Sequence, residues 1–354
     1  MTRDTLGKLA VWTPDLSSVN GQNIVTQRVI AGQADRLGTV YTYRGNTLPA
    51  ILKTLWQATR LTASVVSGRH AGAYVVCSRS SVGFLRDMLP LLTSRLGARV
   101  VAHVHGSDFP ELLKRRRVGP LARWLYASCE VIVPSSHLLE QLAAFHLHRL
   151  TLCENFAEVG SDNARSAWKS VVAPFIVLWN SNIMATKGIA ELVEGVRLLR
   201  NEGAAIRLVI LGSPIGDAER TEAEMHAFLE GLRSEDWIEM KGVVPPGAVP
   251  GYVTASDVVA LPSEYSSECQ PLAVIQGMLE GRTLLVSDTA AMRATVGDYP
   301  AIFVQKDPSA ICEALRPLVA SRPRSAHDAA AQARARFSPK RFDQCLRLAL
   351  APPD

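Results

Sequence analysis

The stretch FIVLWNSNIMATKGIAELVEGVRLL (Phe175–Leu199) begins with an apolar run that reads as a buried strand and ends with apolar residues at helical spacing. Between the two lies a short polar turn in which Lys187 and Gly188 stand at or just before the helix start. A strand feeding a helix through such a turn is the repeating half of a parallel sheet. The pattern continues on both sides. Downstream, IRLVILG (206–212), IEMKGVV (238–244), DVVALPS (257–263), TLLVSD (283–288) and AIFV (301–304) read as strands, with helical stretches around 308–320 and 323–352 at the end. Upstream, KLAVWT (8–13), TVYTYR (39–44), AYVVCS (73–78), RVVAHVH (99–105), EVIVPS (130–135) and RLTLCE (149–154) do the same, separated by amphipathic stretches such as Ile24–Leu37 and Leu48–Val66. Strands alternating with helices in this way predict parallel sheets covered on both faces.

The polar, aperiodic segment Ala157–Val172 interrupts the alternation and reads as a linker between two doubly wound α/β domains. A chain of 354 residues suits two domains, and 47% apolar with 20% charged residues describes a globular protein with two cores. The amino terminus has no charged start followed by a long apolar run, so no signal peptide is expected. No stretch approaches the ~20 apolar residues of a membrane span. Six cysteines lie far apart without a CxxC pair, which points to reduced thiols in the cytoplasm and away from structural zinc.

Charge is uneven: residues 1–170 carry 20 Lys and Arg against 11 Asp and Glu, whereas 171–354 carry 18 against 22. The densest basic segment is LLKRRRVGPLARWLY (Leu112–Tyr126), read as one helix. Its Lys114, Arg115, Arg116, Arg117 and Arg123 flank Leu121, Trp124 and Tyr126. Such a segment suits the surface of an anionic membrane or an ordinary solvated helix face equally well. No recognition motif accompanies the charge, so nucleic acid is not expected.

Four places at strand ends carry candidate chemistry. In TPDLSSVNGQN (Thr13–Asn23), which joins the first strand to the first helix, Gly21 allows close backbone approach and the following helix offers free amides that favour an anion. In HVHGSDF (His103–Phe109), alternation puts His103 and His105 on one side of the strand, with His105 nearer its exit. In the turn quoted first, Lys187 and the helix amides suit a diphosphate. In LPSEYSSECQPLAVIQGM (Leu261–Met278), Pro271 suits the first turn of a helix, Glu268 lies in the loop and Gln276 inside the helix. A carboxylate there can accept sugar hydroxyls or steady developing positive charge, unless it merely caps the helix.

Together, in this order, these segments resemble the retaining glycosyltransferases of family four, the last one matching that family's E-x7-E block. The likeness extends to VIVPSSHLLEQL (Val131–Leu142) and CENF (Cys153–Phe156). It implies a GT-B fold: two Rossmann-like doubly wound domains facing across a cleft, here 1–158 and 171–337. A carboxy-terminal helix, 338–354, would pack back on the first domain. It also implies transfer of a sugar from a nucleoside-diphosphate donor to a glycan or glycolipid acceptor, with retention, no metal and no other cofactor. The catalytic residues would be Glu268, His105 and Lys187. The donor would be held by Gly21, Asn182, Lys187, Gly188, Gln270, Leu272 and Gln276. The setting implied is envelope polysaccharide synthesis at the inner face of the membrane.

Three residues depart from the family pattern. Gln276 replaces the second glutamate, Asn182 stands where an arginine is common, and Pro271 stands where a glycine is. A sugar-nucleotide epimerase on the same fold and an inactive GT-B partner protein are the rival readings.

Overall fold

The computed structural model describes residues 7–45, 47–147, 149–160, 174–322 and 326–352. The chain divides into two compact units, one of Met1–Asn155 with Lys340–Asp354, the other of Phe156–Pro339.

The first unit is built on β1 (Leu9–Pro14), β2 (Leu37–Tyr43), β3 (Gly72–Val76), β4 (Arg99–His103), β5 (Glu130–Val133) and β6 (Arg149–Leu152). Its helices are α1 (Gly21–Gly32), α2 (Leu48–Val66), α3 (Ser81–Leu92), α4 (Phe109–Lys114), α5 (Gly119–Tyr126) and α6 (Ser136–Ala143). All pairings are parallel, in the order β2-β1-β3-β4-β5-β6. The order reverses at β1, whose neighbours are β2 and β3. Right-handed crossovers therefore send α1 to one face of the sheet and α2, α3, α5 and α6 to the other. Trp12, Tyr74 and Val101 fill the core, and the Trp12 indole donates to the buried Asp87 carboxylate at 2.8 Å.

The second unit contains β7 (Phe175–Asn180), α7 (Ile189–Asn201), β8 (Ile206–Leu211), α8 (Glu222–Gly231), β9 (Ile238–Gly242), α9 (Val249–Ala255) and β10 (Val258–Leu261). It continues with α10 (Leu272–Leu279), β11 (Thr283–Ser287), α11 (Ala290–Val296), β12 (Ala301–Val304), α12 (Pro308–Ser321) and α13 (His327–Arg336). The parallel order is β12-β11-β10-β7-β8-β9. Here the reversal falls between β7 and β10, because the chain leaves β7 towards β8 and β9 and then returns to the other side. A ligand crevice opens at such a reversal, at the carboxyl ends of the strands.

Each of the twelve runs read as strands forms one. Three helical expectations are corrected. The helix expected over Ile24–Leu37 starts earlier, where the Asn20 side chain caps the Asn23 amide at 2.9 Å. It stops at Gly32, so Leu37 opens β2. The basic segment 112–126 is not one helix: α4 ends at Lys114, and Arg115–Val118 turn the chain into α5. Gly119 permits that turn, since a Cβ there would fall 2.5 Å from the Leu113 carbonyl oxygen. The stretch 323–352 breaks at Phe337–Ser338, before Pro339 opens α14 (Pro339–Ala349), because a residue preceding proline disfavours the helical conformation.

Of the expected linker, residues 161–172 lie outside the described residues. Residues 157–160 pack on the second unit: Ala157 is buried in its core and donates to the Phe337 carbonyl at 3.3 Å, and the Gly160 amide meets the Glu280 carboxylate at 2.7 Å. On the first unit α14 lies against α1. Arg28 grips Asp343 through two bonds of 3.0 and 2.6 Å, and the Leu350 carbonyl beyond α14 accepts from Arg36 at 3.1 Å.

Candidate functional site

The turn after β7 is shaped by close backbone approach. Gly188 adopts φ +83° between a 3-10 turn (Ala185–Lys187) and α7, and a Cβ there would lie 2.4 Å from the Pro262 carbonyl oxygen at the end of β10. Gly212, after β8, has φ +121°, and its Cβ would lie 2.1 Å from the Ser181 carbonyl oxygen. Only glycine fits either place. The turn is fixed from two further sides. The Glu264 amide donates to the Thr186 carbonyl at 2.9 Å, and Asp217 accepts from the Thr186 amide and hydroxyl, both at 2.7 Å. Burial pushes the Asp217 carboxyl up. The donors of Thr186, Arg220 and Glu219 outweigh it and hold the group down at about 2.

This clamp delivers the Lys187 ammonium to the Glu268 carboxylate, Nζ to Oε2 3.0 Å, with both side chains close to nine-tenths buried. The same ammonium donates to the Ser181 hydroxyl at 3.0 Å and lies 5.6 Å from the Tyr265 ring centre. Ser263 donates to Glu268 at 3.2 Å. One cation and one anion thus meet at the β7/β10 reversal, with hydroxyls from the ends of both strands. Gln276, on α10, accepts from the Asn180 amide at 2.5 Å, which ties the end of β7 to that helix and leaves the Gln276 NH2 end as its donor. Gln270 is buried, Leu272 opens α10 just after Pro271 at its N-cap, and Asn182 is half-buried in the turn.

In the first unit His103 ends β4, fully buried, with Nδ1 2.6 Å from the Tyr74 hydroxyl. The half-buried His105 stacks beside it, ring centres 4.2 Å apart. Both Nε2 atoms are buried without a hydrogen-bond partner. Burial, then the nearby Arg79 cation, pushes His105 down to about 3, and burial with the His105 ring pushes His103 well below its ordinary value. Both imidazoles are neutral near pH 7. The Arg79 guanidinium reaches Asp108 at 3.3 Å, and a Cβ on Gly106 would fall 2.4 Å from the Arg79 side chain. Gly21 is the exposed first residue of α1, at the β1/β3 reversal.

The structure therefore brings Lys187, Gly188 and Glu268 together and joins Gln276 to the same strand end, while His105 and Gly21 belong to the other unit. The sequence reading missed Ser181, Ser263, Asp217 and Gly212. Ser181 follows β7 directly and Ser263 follows β10 after one residue, a signal that was available. The Asp217 contact was not, because it spans 31 positions.

Of the basic segment, Arg115, Arg116 and Arg117 are exposed, and Lys114 pairs with Glu111 at 2.7 Å. Arg123 is corrected: it is half-buried and donates to the Leu113 carbonyl at 2.5 Å, which fastens α5 to α4.

Two doubly wound parallel sheets in one chain, each with a reversal point at its strand ends, define the GT-B class of fold. The structure of the Anabaena protein HepE in complex with UDP-glucose superposes with a TM-score of 0.73 at 15% identity, over 97% of this chain and 99% of that one. The lipopolysaccharide outer core galactosyltransferase WaaB gives 0.63 at 14% identity, over 97% and 99%. Residues 161–336 match the model of the glycosyl transferases group 1 family. In sequence it is 26% identical over 231 residues to the alpha-D-kanosaminyltransferase of Streptomyces kanamyceticus, covering 59% of this chain and 58% of that protein. It is 24% identical over 250 residues to a putative colanic acid biosynthesis glycosyltransferase of Escherichia coli, covering 65% and 60%. The chain thus spans less than two thirds of the length of these curated relatives.

Proposed function

We propose that the protein is a retaining, metal-independent glycosyltransferase that moves a sugar from a nucleoside diphosphate to a glycan acceptor carried on lipid. The observation that carries this reading is the Lys187–Glu268 pair at the β7/β10 reversal, beside the amino end of α7. An incoming diphosphate takes the ammonium and the free helix amides, and the carboxylate is released to accept hydroxyls of the sugar. As the sugar–phosphate bond breaks, its electron pair stays on the phosphate oxygen, and Lys187 stabilises that charge most in the transition state. The acceptor oxygen bonds to the same face of the sugar and passes its proton to the leaving phosphate oxygen. Positive charge from Lys187 and α7 supplies what a divalent ion would otherwise provide. Gln276 binds the ribose, and Gln270, Leu272 and Asn182 line the donor. The match of residues 161–336 to a glycosyl transferase family model and the likeness to a structure holding UDP-glucose support the same reading. The exposed basic run Lys114–Arg117 contacts anionic lipid, which suits a lipid-linked acceptor at the cytoplasmic face.

The test is a panel of nucleotide sugars and lipid-linked acceptors, with and without EDTA, followed by nucleoside-diphosphate release and the anomeric configuration of the product. Release that survives EDTA and retains configuration is expected. Wild-type turnover in both Lys187→Ala and Glu268→Ala would sink the site assignment.

A further inference from the structure

The first three turns of helix α2 bury small side chains and expose large ones. Thr54 and Ala58 face the sheet with Leu61, while Leu48, Ile51, Leu52, Leu55 and Trp56 stand outward, Leu48 69% and Leu52 59% exposed. These positions recur every three to four residues along one side of the helix, so they form a continuous stripe. The neighbouring helix on the same face, α3, adds Val82 and Leu85, and α5 beyond it adds Leu121 and Trp124. Scattered exposed apolar residues are ordinary, whereas a five-residue apolar stripe along one helix, with further exposed apolar residues on the helices next to it, marks a contact surface.

Charge names the occupant. Neither α2 nor α5 contains an acidic residue, and the one in α3, Asp87, is fully buried and paired with Arg86 at 3.0 Å. Exposed on or beside these helices are Lys53, Arg60, Arg95 and the run Lys114–Arg117. The bordering acids are few: Asp15 faces Arg44 and Lys53, Glu111 is paired with Lys114, and Glu140 lies out on α6. Arg60 lies 4.6 Å over the Trp56 ring and Arg95 4.5 Å over Trp124. An aromatic ring with a guanidinium above it spans the boundary between acyl chains and headgroups. No described helix is long and apolar enough to cross a membrane.

We propose that α2 is a membrane-inserting element, whose stripe Leu48–Trp56 enters the acyl boundary of an anionic bilayer while α3, α5 and the basic run lie on its headgroups. This rests on the lipid contact of the basic run proposed above, and two sets of variants separate the two. The full chain is sedimented with neutral and anionic phospholipid vesicles at low and high salt. The triple variant Ile51→Ser, Leu52→Ser, Leu55→Ser is expected to lose about tenfold or more of its binding, including the part that survives high salt. Changing Arg115, Arg116 and Arg117 to Gln should remove only the salt-sensitive part, by up to about fivefold per residue. Bromine-labelled acyl chains should quench wild-type fluorescence, with a smaller effect in Trp56→Phe, so the proposal stays testable even where the triple variant folds poorly. Unchanged vesicle binding in a folded triple variant overturns the proposal, as does equal quenching with and without Trp56. A wild-type dimer that the triple variant dissolves, with no vesicle binding, assigns the stripe to a second copy and overturns it too.

Discussion

A methyl group at Gly188 tests how tightly the turn after β7 is held. Two glycines of the second unit share nearly the same backbone, Gly188 at φ +83° and Gly203 at φ +89°, but only the first is crowded. A Cβ on Gly203 meets nothing within 4 Å, whereas one on Gly188 would sit 2.4 Å from the Pro262 oxygen, 3.0 Å from its ring and 3.2 Å from Lys306. Gly203→Ala carries the cost of a left-handed L-residue alone, about 1–2 kcal/mol. Gly188→Ala carries that plus relief of a backbone contact nearly 1 Å too close, an overpacking cost of about 1–3 kcal/mol, for a total of about 2–5 kcal/mol. Relief requires the turn to move off β10, which pulls Lys187 from Glu268. Displacement of a reacting group by ~1 Å costs on the order of a hundredfold in rate. Urea unfolding and nucleoside-diphosphate titration of both variants decide the matter. Gly203→Ala should bind like wild type, and Gly188→Ala should lose both stability and affinity. Equal destabilisation, or undisturbed nucleotide binding in Gly188→Ala, would refute the idea that this contact places the lysine.

Removing the ammonium by Lys187→Ala should weaken nucleoside-diphosphate binding by roughly 10- to 100-fold, the loss of one charge-assisted bond of about 1.5–3 kcal/mol, as measured by calorimetry. Asp217→Asn should loosen the turn from a distance, raising the donor KM more than it lowers kcat, and Glu268→Gln should do the reverse. His103 and His105 are pushed below the ordinary histidine range, so the unfolded chain takes up protons that the folded one refuses as pH falls below about 6.5. Stability should be full above that value and decline towards pH 4, and His105→Asn should reduce the slope of unfolding free energy against pH by up to one proton. Identical slopes in the two proteins would show that His105 does not stay neutral.

Strands were legible because each is a short β-branched run bounded by polar turns, and the resulting alternation admits little besides a parallel sheet. Periodicity gives a helix its stripe but not the direction in which the stripe points. The apolar pattern of Leu48–Val66 was visible, yet that Thr54 and Ala58 face the sheet while Leu52 and Trp56 face out depends on how closely α2 packs there. The break in 112–126 was hidden for a related reason. Arg115–Val118 carry no strong breaker, and what Gly119 permits, a close approach to the Leu113 carbonyl, is visible only in the folded chain. At the site, Lys187 and Glu268 could be read because each lies in one local strand–turn–helix unit. The partner Asp217 reaches that turn from the segment after β8, 31 positions away, and only the strand order brings the two together.

Two of the three departures from the resembling family, Asn182 and Gln276, take on meaning as a pair. The family pattern sets two cations, an arginine and a lysine, against two carboxylates. Here Asn182 removes one cation and Gln276 removes one anion, so the free site still holds one of each, Lys187 and Glu268. A glutamate at 276 could accept from Asn180 as the glutamine does, but with no arginine two turn residues away its charge would oppose an incoming diphosphate. Glutamine keeps the bond that ties α10 to β7 and adds an NH2 donor in place of the second carboxylate oxygen. Substituting either position alone would unbalance the site, whereas the double substitution would restore the family's arrangement. On the proposed reading of the site, the two changes offset one another in charge and leave the Lys187–Glu268 pair in place.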